Sequence, residues 1–326
     1  WRFCISASGK AAEIREDCRK MEHFLINVDE LDAGSRIDRY MAQEREELSD
    51  LSRSYLQKLI QDGNVLVNGC NIKANYKLKK ADIIDITLPD IKEPQIEAEN
   101  IPLDILYEDE DIIVINKPKG MVVHPAAGHY SGTLVNALMY HCRDNLSGIN
   151  GVMRPGIVHR IDMNTTGVLV ACKNDFAHNA ISAQLSVHSI TRKYEAIVYN
   201  RFNEESGTVD APIGRSHNDR KKMAIDRDNG RRAVTHYRLL ENFSKFSHIE
   251  CQLETGRTHQ IRVHMASIGH PLLGDDVYSN AVSPYKLQGQ TLHARVLGFI
   301  HPRTNQYIEF EAPLPEYFSH LLDILR

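Results

Sequence analysis

HRIDMNTTG, residues His159 to Gly167, sits between two apolar runs, Ile157 to Val158 and Val168 to Cys172. That order puts a charged, hydroxyl-rich loop at the mouth of a sheet. To either side the chain alternates short β-rich runs with shorter amphipathic stretches. Strands are expected at Asp111 to Asn116, Ile157 to Val158, Val168 to Cys172, Tyr194 to Tyr199, Ala233 to Phe243, His248 to Glu254, Leu292 to Ile300 and Tyr307 to Ala312. Helices fit near Thr133 to Tyr140, Asp175 to Val187, His259 to Ser267 and Tyr317 to Leu325. Adjacent strands without a regular βαβ rhythm predict an α+β domain over residues 103–326, built on a large mixed, mainly antiparallel sheet.

Three segments carry the candidate chemistry. HRIDMNTTG holds Asp162. TRKYEAIVY, Thr191 to Tyr199, puts Tyr194, Ala196 and Val198 on one strand face. LETGRTHQIRVHMASIGHPLLGD, Leu253 to Asp275, ends a strand at Gly256 and begins a helix that carries Arg262. Together these segments resemble the RluA and RluD group of pseudouridine synthases, whose catalytic motif reads HRLDxxTSG or HRLDxxTTG, with Ile161 here in place of leucine. The resemblance runs from about Arg36 to Leu325, and the HPAAG segment, His124 to Gly128, points to the RluD branch. It implies that Asp162 is the catalytic carboxylate, that Tyr194 stacks on the target base, and that Arg262 pairs with Asp162. Arg160 would fill the gap left by the extruded nucleotide or hold a phosphate, and Leu273 would make an apolar contact to the base. The basic pair Arg192 and Lys193 would reach the RNA backbone. KPKGMVVHP, Lys117 to Pro125, resembles another family segment near the active cleft.

Conversion of uridine to pseudouridine breaks a carbon–nitrogen bond, turns the uracil, and joins its C5 to the same sugar carbon. No atoms are gained, so no cofactor is required. Desolvation under bound RNA would oppose a charged carboxylate. An arginine at about 4 Å, with an effective dielectric near 20, offsets this with roughly 4 kcal/mol before desolvation.

Upstream, apolar residues Ile37, Tyr40 and Met41, then Leu51, Tyr55, Leu56, Leu59 and Ile60, recur at helical spacing, broken near Ser49 to Ser52. Val65 to Val67 and Ile83 to Leu88 read as strands, with a turn at Asn68-Gly69. LSRSYLQKLIQDGNVLVNG, Leu51 to Gly69, resembles the αL RNA-binding module shared with a small-subunit ribosomal protein, expected over residues 36–88. The RNA face it implies is Arg53, Ser54 and Lys58, with Lys73 and Lys77 beyond the turn. Ser52 is suited to cap that helix. Residues 89–102 hold three prolines among acidic residues and read as a linker.

Composition limits the rest. The 326 residues are 42% apolar and 25% charged, ordinary globular usage. Apolar runs fall far short of the roughly 20 residues that cross a bilayer, and residues 1–20 lack the features of a secretory signal and read as an extension outside the fold. A cytoplasmic monomer is expected. Six scattered cysteines, at 4, 18, 70, 142, 172 and 251, form no CxxC pair and read as reduced thiols. His259, His264 and His270 are spaced five and six apart, wrong for a helical zinc pair, so no metal is expected. Neither a GxxxxGK[ST] loop nor a GxGxxG turn is present. The net charge of -4 argues against a nucleic-acid partner, yet Arg215 to Arg232 holds seven Lys or Arg against three Asp, a local basic surface suited to RNA. Two rival readings stand beside the synthase. One is a nucleoside or glycan hydrolase, which needs a second acid that no residue near Asp162 supplies. The other is a non-catalytic RNA-binding assembly factor.

Overall fold

A computed structural model describes residues 22–30, 32–43, 53–88, 96–125, 129–143, 145–149, 154–216, 219 and 222–326. The extension at 1–20, the capping Ser52, residues 126–128 of the HPAAG segment and part of the linker lie outside them. So does the side chain of Arg53. The chain folds as two compact units that divide after residue 93.

The first unit runs β1 (Glu22–Asn27), α1 (Ile37–Gln43), α2 (Arg53–Gln61), β2 (Val65–Val67), β3 (Cys70–Asn71) and β4 (Ile83–Leu88). Its sheet has the order β1-β4-β2-β3 and is antiparallel throughout. Ile37, Tyr40, Met41, Leu56, Leu59 and Ile60, the apolar faces of the two helices, close on Val65, Ile84 and Ile86. Asn68 and Gly69, both with positive φ, make the tight turn the sequence announced. β1 was not anticipated.

The second unit runs β5 (Ile105–Glu108), β6 (Ile112–Lys117), α3 (Leu134–Cys142), β7 (Thr166–Cys172), α4 (Asp175–Ser186), β8 (Thr191–Tyr199), β9 (Ser206–Asp210), β10 (Ile213–Arg215), β11 (Met223–Ile225), β12 (Val234–Asn242), β13 (Phe246–Leu253), α5 (Gln260–Ser267), β14 (Leu292–Ile300), β15 (Tyr307–Glu311) and α6 (Glu316–Leu325). Its main sheet has the order β5-β6-β7-β14-β8-β13-β12-β9, with β15 added on β14. Among the described strands only β7 and β14 pair in parallel. The large mixed, mainly antiparallel sheet is the expected α+β architecture.

β7 is buried along its whole length because both its faces are covered. Leu169 and Ala171 enter one core with Tyr194, Ala196 and Val198, whereas Val168, Val170 and Cys172 pack on Ala177 and Ile181 of α4. This explains why the sequence there is a continuous apolar run rather than an alternating one.

Four expectations change. Ile157 makes only an isolated bridge to Ala171, so Ile157 to Val158 is not a strand. The basic run from Arg215 to Arg232, where no strand was expected, holds β11, which pairs with β10 (Ile213–Arg215) in a hairpin. The sheet gains β5 at one end and β9 at the other, where SGTVD carries too little apolar period to be legible. Residues 96–101, read as linker, belong to the second unit: Ile96 is buried in its core and the Glu99 N–H donates to Asn136 O at 3.0 Å.

Candidate active site

The loop between His159 and Gly167 divides into residues that build it and residues that face a pocket. His159 Nε2 accepts the Val170 N–H at 3.1 Å, and burial, with the nearby charge of Arg192, pushes its pKa down to about 4. A ring nitrogen that accepts an amide hydrogen must be unprotonated, so this histidine is a neutral brace. Thr165 Oγ1 accepts from Gln290 Nε2 at 3.1 Å, and Thr166 Oγ1 lies 2.8 Å from His293 Nδ1. These contacts fasten the loop to the start of β14. Gly167 has φ +106°, and a Cβ there would sit 2.1 Å from Ala294 O, so only glycine allows the close parallel approach of β7 and β14.

Asp162 and Arg160 face the pocket. Its walls also include Tyr194, Leu253, Leu292 and Arg262. Arg262 lies on α5, whose residues Gln260 to Met265 are all buried. Gln260 anchors the start of that helix: it accepts from Thr255 Oγ1 at 2.8 Å and the Arg257 N–H at 2.9 Å, and donates to Val234 O at 2.9 Å. With the helix so fixed, Arg262 Nη1 donates to Asp162 Oδ2 at 3.2 Å.

The sequence showed no second acid near Asp162, and here the structure corrects it. Asp275 receives Arg262 Nε at 2.7 Å and Nη2 at 2.9 Å, and its carboxylate is wholly buried. Val277 N–H, at 2.9 Å, and Tyr278 N–H, at 3.1 Å, also donate to it. Burial opposes charge on both groups. Their mutual hydrogen bonds and attraction outweigh it, holding Asp275 below the usual carboxylate range and Arg262 above the usual arginine value. Asp162, with 18% of its side chain exposed, is the partner left open to the pocket. Asp275 has no free oxygen to act as an acid or base, so the two-carboxylate hydrolase reading gains nothing from it.

His259, read earlier only as a candidate ligand, borders the same carboxylate. Its Nδ1 lies 2.7 Å from Tyr278 Oη, which itself accepts the Met223 N–H at 2.9 Å. On the other side of the ring, Nε2 lies 3.8 Å from Asp162 Oδ1. Burial lowers the His259 pKa, against the opposing pull of Asp162. The other two histidines have separate partners. His264 meets Thr235 Oγ1 and Ala211 O, and His270 stacks on Phe202 at 3.7 Å.

Tyr194 is buried, 9% exposed, and lines the pocket from β8. Burial, reinforced by Asp162, raises its pKa despite the opposing charge of Arg192. Arg160 is exposed at the rim. Leu273 departs from expectation. It is fully buried beside Ile197, Phe318 and Leu322, while its neighbour Leu272 lies in the core with Tyr194. Leu272 bridges Val198 and the Leu273 N–H donates to Ile197 O, so the two leucines alternate across an extended segment and Leu273 turns away from the pocket. Leu253 and Leu292 supply the apolar wall instead. In the first unit Lys58 is exposed on α2.

Lys117, from the KPKG segment, is a contributor whose role sequence did not reveal. It is fully buried, and its Nζ donates to Pro118 O at 2.8 Å, Met121 O at 2.9 Å and Met163 O at 3.0 Å. The last bond ties the loop of Asp162 to β6. Burial, opposed by Asp162, pushes the Lys117 pKa down to about 7.

Residues 111–267 match the family described as RNA pseudouridylate synthase, and residues 36–84 match the S4 domain. The chain is 52% identical to the "Uncharacterized RNA pseudouridine synthase YlyB" of Bacillus subtilis, over 94% of this chain and 99% of that protein. The chain belongs to the RNA pseudouridine synthase family. It is also 48% identical to "Ribosomal large subunit pseudouridine synthase D" of Zymomonas mobilis, over 90% of this chain and 94% of that protein. Among solved structures, "Human RNA Pseudouridylate Synthase Domain Containing 4" superposes with a TM-score of 0.53 at 29% identity, covering 68% of this chain and 92% of that one. As an RNA pseudouridine synthase the chain is an isomerase, and its first unit is an S4 RNA-binding domain. No helix among the described residues is long and apolar enough to cross a membrane.

Proposed function

We propose that this synthase isomerises specific uridines of large-subunit ribosomal RNA during ribosome biogenesis, with Asp162 as its catalytic carboxylate. The observation that carries the assignment is the exposed edge of Asp162, held by Arg262 at 3.2 Å in a pocket walled by Tyr194. The identity of its relative from Zymomonas mobilis, named for the large ribosomal subunit, supports the choice of RNA.

The target nucleotide leaves its stack, at a cost of a few kcal/mol. Its uracil lies against Tyr194 and between Leu253 and Leu292, and Arg160 at the rim takes the gap or a phosphate. Asp162 either attacks C1′ or withdraws a sugar proton toward a glycal; in both routes the N1–C1′ bond breaks and C5 bonds to C1′. The C5 hydrogen is then lost and N1 ends protonated. Arg262 holds and aims Asp162 while Asp275 keeps Arg262 still. Confinement against Tyr194 keeps the freed uracil from escaping to water. Arg53 and Lys58 of the S4 domain bind phosphates and orient the RNA without reading its sequence. The reaction conserves atoms and calls for no metal or cofactor. We assign the enzyme to the cytoplasm, acting as a monomer.

Pseudouridine mapping of ribosomal and transfer RNA from cells with and without the protein tests the assignment. Loss of one or a few sites from large-subunit RNA is expected. An unchanged map, or loss confined to transfer RNA, overturns the substrate.

A further inference from the structure

Three lysine or arginine residues are buried among the described residues: Lys117, Arg192 and Arg262. Lys117 spends all three of its hydrogens on backbone carbonyls, and Arg262 is bound by two carboxylates. Arg192 is different. It is 7% exposed, its Nη2 donates to Glu254 O at 2.9 Å, its Nε has no partner, and no described carboxylate forms an ion pair with it. A buried cation left without a counter-charge is costly unless a ligand completes it.

The surroundings are built to receive an anion. Arg192 lines a cleft of about 320 Å³ together with Arg160, His188 and Arg257. Neither Arg160 nor Arg257 pairs with a described carboxylate, and Arg257 is close enough for its charge to bear on Arg192. Gly256 makes room for the guanidinium, since a Cβ there would lie 2.5 Å from Arg192 Nη1. Arg160, Tyr194, Leu253 and Arg257 line both this cleft and the pocket over Asp162. Arg192 and Tyr194 are two residues apart on one face of β8, about 7 Å along the strand.

We infer that the cleft beneath Arg192 is a phosphate subsite, which seats the RNA phosphodiester adjoining the uridine held against Tyr194. The inference rests on the assignment of the Asp162 pocket as the uridine site. Arg192 is a substrate-binding residue in this scheme, with Arg160 and Arg257 closing over the same anion. The unmatched charge stabilises the complex because the phosphate supplies the missing counter-ion.

The test is binding of the full-length protein to an unmodified transcript of large-subunit ribosomal RNA across 50 to 200 mM salt, on the order of the range over which such contacts register. Arg192→Gln should weaken binding about tenfold and reduce the slope of log Kd against log salt by about one charge, and Arg192→Lys should restore most of the slope. The melting temperature of the RNA-free Arg192→Gln protein should stay level or rise, since an uncompensated charge has gone. A lower melting temperature with unchanged RNA affinity makes Arg192 merely structural and overturns the subsite, as does an unchanged salt slope in a folded variant. Pseudouridine formation by the wild type is read in parallel. If none forms while the slope still falls, the catalytic assignment fails and the anion subsite stands; if it forms while the slope is unchanged, only the subsite fails.

Discussion

Arg262 grips Asp275 with two hydrogen bonds, at 2.7 and 2.9 Å, and gives Asp162 only one, at 3.2 Å. The buried aspartate thus orients the arginine, and the arginine in turn orients the exposed aspartate. Asp275→Ala removes the first link and leaves a buried guanidinium half paired. Loss of about 3–5 kcal/mol of stability is expected from such a broken buried pair. Urea unfolding measures it; a change under about 1 kcal/mol would mean that Arg262 does not need this anchor.

Asp162→Asn preserves the shape and the hydrogen-bonding oxygen but removes the charge that reaches the pocket. Turnover should fall by a factor on the order of 10³ or more, with RNA affinity changed little. Single-turnover assays on RNA labelled at uridine C5 would detect this. Substantial residual turnover would move the chemistry to another group.

Tyr194 separates two contributions. Tyr194→Phe keeps the ring and should keep RNA affinity, whereas Tyr194→Leu should lose about 1–3 kcal/mol of base stacking. Its raised pKa means that the phenol is protonated in the free enzyme at neutral pH. If the hydroxyl also removes the C5 proton, Tyr194→Phe binds normally but accumulates an unfinished product. Equal affinity for the Phe and Leu variants would argue against stacking.

His159 and His124 each have pKa values pushed down to about 4 by burial, against about 6.5 when unfolded. Between those values the unfolded chain binds protons that the folded chain refuses. Stability therefore falls as pH drops from about 6.5 toward 4. His159→Gln can still accept the Val170 N–H and should flatten part of that slope in denaturant titrations run across this window. An unaltered slope would exclude His159 as a contributor.

Gly167→Ala demands a Cβ 2.1 Å from Ala294 O at a φ that L-residues rarely adopt. A loss above about 3 kcal/mol is expected from the strain and the clash together, read by thermal melting. A near-neutral effect would mean that the β7–β14 approach relaxes easily.

Much of the fold was legible because burial imposes period. Val168 to Cys172 is apolar throughout since both faces of β7 are covered, and Ile37 to Ile60 shows the spacing of two one-sided helices. The edge strand β9 and the β10–β11 hairpin bury few side chains and so left no pattern to read. In the site, HRIDMNTTG marked Asp162, and the block from Leu253 to Asp275 marked Arg262. Asp275 ends that block but gives no sequence signal of its role, because an acidic residue after a glycine reads as an ordinary turn. Leu273 faces away from the pocket, and sequence alone does not say which of two adjacent leucines faces inward.

The order and type of residues therefore determined the well-buried strands, the αL-like helices and which groups are candidates for the chemistry, since these depend on local period and on motif. Only the tertiary structure decided which charges meet. Asp162 and Arg262 are 100 residues apart, and Arg262 and Asp275 thirteen. Whether a guanidinium ends up doubly paired, as Arg262 does, or left waiting for an anion, as Arg192 does, follows from sheet register and helix docking. Electrostatic pairing falls off with distance through space rather than along the chain.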